Sequence, residues 1–448
     1  MPGQVRIVDT TVLIDAGAAL TGAELAFDRG TGRITYVGPA RRPSGPAADE
    51  VIDGRHRLIA PGLVNAHGHA AMTMLRGACD DADLPTWLAA VRGLEVGLTH
   101  ADIRAGLALA MVEMIRSGTV GFCDMYLWDE TLLGDVVAAG LRINAAAAIF
   151  GADVVGYPGA IDETGTQVLE RTVHLAAAFR GEPTVRVSYG PHAFYTTGDE
   201  LVAQVATRSA RDGLDVHIHL SETRAEVDTS VSATGRTPIA RAADAGLLDR
   251  RVVVAHGVHP VDDDLRLLAE PGVTVAHNPV SNLKLGAGIA PVADYLAAGV
   301  RLGLGTDSAA SNNSLDLFEE LKLAALLPRG TARDPSLVSG VAAWEMATSG
   351  AAPALHPELT GRLAVGEQAD LMVVDTARAA AVPIVDPVSL LVFATTGTAV
   401  TDLFVAGRAL LRSGRLTTLD EAAVRADAAA RAARLRAAAG PDRPGPQH

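Results

Sequence analysis

The sequence predicts an α/β protein: a (β/α)8 TIM-type barrel with a small β-sandwich domain formed by both chain ends. Three features point there. Eight short apolar runs alternate with helix-like segments across residues 58–361, the pattern of a parallel barrel. Both flanks lack that alternation and read as short strands with hairpin signals. Histidine and carboxylate side chains gather where the apolar runs end, the face of a barrel at which chemistry sits.

Residues 1–57 supply the first part of the sandwich. There, Asp28-Arg29-Gly30-Thr31-Gly32 separates Glu24-Leu25-Ala26-Phe27 from Ile34-Thr35-Tyr36-Val37. Barrel strands are expected over 58–65, 120–124, 142–147, 185–189, 216–220, 252–256, 273–277 and 300–305. Helices are expected between most of them, among others over 101–117, 200–212 and 313–327. Residues 362–416 return to strand character with Leu371-Met372-Val373-Val374 and Leu403-Phe404-Val405, and complete the sandwich. Residues 417–448 read as an Ala/Arg helix over 421–438 and a proline-rich end expected to be disordered.

The bulk composition narrows the class. Of 448 residues, 48% are hydrophobic, ample for one large core and a smaller domain. Aromatics are only 4%, so the core is built from small branched side chains, as parallel sheets are. A net charge of −14 argues against a nucleic-acid partner. The two cysteines, Cys79 and Cys123, make no disulfide framework. The N-terminus lacks a basic stretch followed by an apolar one, and no apolar run reaches about 18 residues. A cytoplasmic protein that neither spans nor binds a membrane is expected.

Reading the residue at each strand exit gives His67 and His69, Asp124, His192, His219 with Glu222, His256, His277 and Asp307. Histidine stands at five of the eight exits, in a chain with 13 histidines. One such histidine is ordinarily a hydrogen-bonded structural residue, and an aspartate before Ser308 is ordinarily a helix cap. Structural roles do not account for the joint placement. Three imidazoles and a carboxylate, from His67, His69, His219 and Asp307, suit one divalent metal, Zn²⁺ first and Fe²⁺ second, with a position left for water. Asp124 and His277 are read as rim residues.

Several strings resemble the amidohydrolase superfamily, in its branch of S-adenosylhomocysteine/5′-methylthioadenosine deaminases and triazine chlorohydrolases. They are PGLVNAHGHAAMTMLRG, TWL at 86–88, YGPHAFY, HIHLSETRAE, VAHGVH, HNPVSNLKLGAGIAPV and LGTDSAASNNSLDLF. The resemblance runs to about residue 415. Some members bridge two metals with a carboxylated lysine from the fourth strand. Here the only lysines are Lys284 and Lys322, so a single metal is expected.

The resemblance implies an aminohydrolase acting on a cyclic amidine: a deaminase of adenosine or a 5′-modified adenosine such as 5′-methylthioadenosine or 5′-deoxyadenosine. It assigns His256 and Asp307 the proton of the attacking water. Glu222, close after His219, is placed to shuttle a proton to the ring nitrogen and then to the leaving ammonia. Glu95 takes the position of a glutamate on the ribose hydroxyls, and His192 that of a substrate-contacting histidine. Ser311 touches the substrate or caps the following helix. Where S-adenosylhomocysteine deaminases carry an arginine for the amino-acid carboxylate, the aligned place is Ala147. S-adenosylhomocysteine is therefore expected to be disfavoured, unless Arg171 or Arg180 compensates. The alternatives are hydrolysis of another N-heterocycle (guanine or pterin deamination, triazine dechlorination) and a catalytically dead homologue. Glu95 speaks against a free base, and the intact histidine–carboxylate set against a dead homologue. Relatives are commonly homo-oligomers, and the same is expected here.

Overall fold

The computed structural model describes residues 3–41, 48–261 and 263–438. The end expected to be disordered lies outside these residues. Eight parallel strands form one sheet in chain order: Leu63–Gly68, Thr119–Tyr126, Arg142–Ile149, Val185–Pro191, Asp215–Leu220, Val252–His256, Val273–His277 and Leu302–Leu304. The sheet comes round to its own start, where Gly68 and Asp307 form a parallel bridge. Asn65 clamps that seam, donating to Thr306 Oγ1 at 2.8 Å and accepting from the Thr306 amide at 3.1 Å. Gly305 is needed there, because a Cβ would stand 2.3 Å from Asn278 Oδ1 and 2.9 Å from the His67 nitrogen.

Every residue of the second, third, fifth, sixth and seventh strands is buried. Burial on both faces is what a helix-covered parallel sheet imposes, and Val-Val-Val-Ala-His and Val-Thr-Val-Ala-His meet it with β-branched side chains. The helices between strands begin where the sequence supplies caps. His100–Arg116 opens on a capping box between Thr99 and Asp102, and Gly165–Ala178 on one between Thr164 and Gln167. The helix expected from residue 313 starts later, at Leu317–Ala332. Asn313, at φ 75°, ends the short turn Ala309–Asn312, and Asp316 caps the next helix through the Phe318 amide.

The strand expected over 58–65 is two strands. Arg57–Pro61 pairs with Leu371–Asp375 and Gln4–Asp15 in the terminal sheet, while Leu63–Gly68 opens the barrel. Pro61 has no N–H to give a ladder. The Gly62 amide bonds Asp370 O and the Leu63 amide bonds Gly118 O, so the backbone changes sheets within two residues. The apolar run is unbroken, so periodicity alone does not show the change.

The terminal sheet draws nine strands from both ends, ordered Arg415–Leu416, Arg408–Arg412, Val400–Val405, Leu371–Asp375, Arg57–Pro61, Gln4–Asp15, Ala18–Asp28 and Arg33–Pro39, with Glu50–Asp53 beside Gln4–Asp15. It curls onto itself: Phe27 and Phe404 are several strands apart in that order, yet their ring centroids are 5.1 Å apart. Its inner faces meet like the layers of a sandwich around Val5, Ile7, Leu25 and Ile59, although the hydrogen bonding is continuous. The helix Glu421–Ala438 is tied to His100–Arg116 by Arg431 and Arg434, which both reach the buried Asp102. No helix among the described residues is long and apolar enough to cross a membrane.

Candidate active site

The period of two along a strand turns His67 and His69 to the same side of the first barrel strand. At the rim they meet side chains from the fifth, sixth and eighth strands. Ligand-type atoms of His67, His69 and Asp307 lie within 4.8 Å of one another, as do those of His67, His219 and His256. Asp307 Oδ1 is 3.5 Å from His67 Nε2 and 3.4 Å from His69 Nε2, and His219 Nε2 is 3.4 Å from His69 Nε2. The four residues expected as ligands therefore converge, and His256 joins them.

Each imidazole is held by its other nitrogen. His67 Nδ1 meets His217 Nε2 at 2.8 Å, His69 Nδ1 the Met125 carbonyl, His219 Nδ1 the His192 carbonyl at 2.8 Å, and His256 Nδ1 Asn282 Oδ1 at 2.8 Å. That arrangement fixes the rings with Nε2 free. His67 Nε2 is fully buried with no hydrogen-bond partner among the described residues, a costly state unless a cation takes its lone pair. Asp307 is held similarly: its Oδ2 accepts from Ser281 Oγ at 2.5 Å and Ser311 Oγ at 2.9 Å, leaving Oδ1 for the centre. The donor set fits one divalent metal.

Electrostatics agree with that fit. Burial alone pushes the Asp307 carboxyl up, but His67, His69 and His256 outweigh it and hold the carboxyl well below its usual range. Burial lowers His67 to about 4 and also lowers His219, so both are neutral imidazoles able to ligate. Burial raises the Glu222 carboxyl. Glu222 Oε1 lies 3.8 Å from His256 Nδ1. Burial lowers the His256 imidazole, and the charges of Glu222 and Asp307 more than restore it. His256, Asp307 and Ser221 all have left-handed backbones, at φ 73°, 58° and 52°. Three such non-glycine residues around one centre mark strain held by the fold.

A cavity of about 400 Å³ opens on this centre and is lined by His69, His219, Glu222, His256 and Asp307 on one side and Glu95, Tyr126 and His192 on the other. Glu95 ends the helix Leu84–Glu95, started by Asp83 with Pro85 in its first turn. Tyr126 donates to Glu95 Oε1 at 2.7 Å, and burial raises the Glu95 carboxyl. His192 is lowered to about 3 by burial, and its Nδ1 sits 2.9 Å from Thr196 Oγ1. Its ring stacks on Phe150 at 5.1 Å.

Two expectations change. Ser311 is fully buried behind Asp307 and contributes nothing to the cavity wall; its hydroxyl is spent on the Asp307 carboxylate. Ala147 also lies off that wall, which its strand neighbour Ala148 supplies, as the alternation of side chains dictates. The cavity does hold a guanidinium, from Arg92, which sequence reasoning missed. Arg92 donates to the carbonyls of Gly156 and Val155, the latter at 3.2 Å, and stands 3.5 Å from Glu95. Arg171, bonded to Glu163 Oε2 at 2.6 Å, and Arg180 do not line the cavity. His217 was also missed, although His217-Ile218-His219 carries a signal: spacing of two places both on one side of the strand. Asp124 and His277 are buried outside the wall, and burial raises Asp124 to about 7.

Fold and donor set together define a class: a parallel barrel with a histidine–aspartate centre at its C-terminal rim. The chain belongs to the amidohydrolase family, whose pattern matches residues 58–410. It is 40% identical over 423 residues to a 5-methylthioadenosine/S-adenosylhomocysteine deaminase of Moorella thermoacetica, covering 93% of this chain and 96% of that one. A 5′-deoxyadenosine deaminase of Methanosarcina barkeri is 40% identical over 400 residues, with 89% and 90% covered. Among solved structures, an adenosine deaminase from Xanthomonas campestris with bound zinc superposes with a TM-score of 0.90 at 31% identity, covering 97% of this chain and 98% of that one. The resemblance carried by the sequence motifs thus holds over most of the chain.

Proposed function

We propose that this protein is a hydrolytic deaminase of adenosine-type nucleosides, converting adenosine or a 5′-modified adenosine to the inosine analogue and ammonia. One observation carries the reading: a single cavity joins the histidine–aspartate centre, the buried carboxyl of Glu222 and, across from them, Glu95. The names of the relatives, 5-methylthioadenosine/S-adenosylhomocysteine deaminase and 5′-deoxyadenosine deaminase, support the same substrate class. His67, His69, His219 and Asp307 would hold one divalent metal, Zn²⁺ first.

Such an ion supplies an activated water by bringing its pKa toward about 7. The chain's own groups do the remaining work. His256 and Asp307 accept the water's proton as its oxygen bonds the amino-bearing ring carbon. Glu222, its carboxyl raised by burial, gives a proton to the adjacent ring nitrogen. The proton taken from the water passes through Glu222 to the amino group, which leaves as ammonia, and the added hydroxyl returns its proton to Glu222 as the ring carbonyl forms. Glu95 accepts hydrogen bonds from the two ribose hydroxyls, and His192 contacts the nucleoside beside them.

The same wall disfavours S-adenosylhomocysteine. Arg92 is the one Lys or Arg lining the cavity among the described residues, and it already serves two carbonyls and Glu95. An amino-acid carboxylate brought there loses water without gaining a free cation. The test is kcat/KM for adenosine, 5′-methylthioadenosine and S-adenosylhomocysteine on one preparation. S-adenosylhomocysteine should be slower by about tenfold or more, the size of one charge-assisted contact. Comparable values would remove this specificity.

A further inference from the structure

Glu222 carries the proton in the proposed reaction, yet no side chain holds its carboxylate. Among the described residues it accepts no hydrogen bond, and His256 Nδ1 stands 3.8 Å from its Oε1. Its direction must come from the backbone beneath it. That backbone is unusual: Ser221 has φ 52°, a left-handed conformation that a serine adopts at a cost. The carbonyl of Ser221 is held by the His259 amide at 3.0 Å. The amide of Glu222 is held by a side chain, Glu226, whose Oε2 accepts it at 2.8 Å.

Glu226 lies in the first turn of the helix Arg224–Thr234, three residues after the N-cap Thr223. In the usual capping box, a glutamate at that position returns to the amide of the cap residue itself. Here Thr223 Oγ1 accepts the Glu226 amide at 3.1 Å as expected, but the carboxylate reaches one residue further back, to Glu222. Its other oxygen, Oε1, is buried with no partner among the described residues. A cap needs only the first of these contacts. Burying a carboxylate with one oxygen unmatched is unfavourable, and what it secures is the strained turn that aims Glu222 into the cavity.

We propose that Glu226 is a positioning residue for Glu222, fixing the Ser221–Glu222 turn so that the shuttle carboxyl faces the histidine–aspartate centre. The proposal rests on the deaminase reading for its kinetic consequence, but not for its structural one. The experiment compares Glu226→Ala, Glu226→Gln and Thr223→Ala in the full-length, metal-loaded protein. Thr223→Ala removes the cap on the same helix without touching the Glu222 amide, so both it and Glu226→Ala lower Tm. Only Glu226→Ala should lower kcat on adenosine, by about ten- to a hundredfold with KM within about twofold, as misplacement of a reacting group does. Glu226→Gln keeps an acceptor oxygen and should restore most of kcat. Independently of activity, hydrogen exchange at the Glu222 amide should quicken in Glu226→Ala and not in Thr223→Ala. Equal kcat losses in Thr223→Ala and Glu226→Ala, or unchanged exchange at Glu222 in Glu226→Ala, would overturn the positioning role. Failure of the wild type to release ammonia would instead overturn the deaminase reading, leaving the exchange result to decide the role of Glu226.

Discussion

The cavity has two walls built on different principles. The inner wall, with His69, His219, His256 and Asp307 backed by the fully buried His67, stands on the ends of barrel strands joined edge to edge into one sheet. Each of its side chains is braced by a second contact, as His67 is by His217 and Asp307 by Ser281 and Ser311. The outer wall comes from connections: the helix Leu84–Glu95 and the hairpin of Val155–Tyr157 with Ile161–Thr164, pinned together by Arg92 and packed through Tyr126 against Tyr157, with centroids 4.7 Å apart. Shared strands hold the inner wall to fixed spacings, whereas the outer wall can change with loop length and sequence. Reaction type should therefore reside on the inner wall and substrate choice on the outer one.

Substitutions on each wall test that division. The largest effect is expected from Glu222→Gln, which keeps shape and metal but cannot pass a proton. Its kcat should fall by about 10²–10⁴, with metal content unchanged. An undiminished rate would take Glu222 out of the chemistry. On the outer wall, Glu95→Gln gives up one acceptor and a charge. It should lower kcat/KM for adenosine by about tenfold and leave 2′-deoxyadenosine much less affected. Equal losses on the two substrates would mean that Glu95 does not read the ribose.

The smallest effect concerns the support behind the inner wall. Glu320 is buried and accepts from Asn312 Nδ2 at 2.5 Å and the Val280 amide at 3.1 Å, linking the turns that carry Ser311 and Ser281. Burial raises its carboxyl from 4.5 to about 8. Because the folded state holds this proton more tightly, Glu320 contributes stability below about pH 4.5 that is lost as pH rises to about 8. Glu320→Gln removes that dependence. The variant should gain on the wild type between pH 5 and 8 by on the order of 1–3 kcal/mol in denaturant melts. A pH-independent difference would show that the carboxyl is ionised throughout.

The same contrast explains what was legible in the sequence. His67, His69, His219, His256 and Asp307 stood out because apolar runs deliver them at their ends, and a period of two fixes the side they face. Glu222 followed from its nearness to His219. The outer wall was harder to read, because its residues meet only when separate connections fold over one another. Glu95 was found through family resemblance, while Arg92, Phe150 and Tyr157 carried no periodic signal. Ser311 was misplaced for a related reason: a serine four residues after Asp307 can face a ligand or brace the carboxylate, and only the turn Ala309–Asn312 decides. The change of sheets at Gly62 was hidden by an apolar run that continues through it.

Deamination of adenosine-type nucleosides rests on one cavity that joins a histidine–aspartate centre to Glu95, the glutamate proposed to read the ribose. Its most direct test is ammonia release by zinc-loaded protein from adenosine, 5′-methylthioadenosine and 5′-deoxyadenosine, beside free adenine, guanine and a chlorinated triazine. Release is expected from the nucleosides, with kcat/KM above that for the free bases and the triazine by about a hundredfold or more. Preferential turnover of a free base or a triazine, with the nucleosides inert, would contradict it.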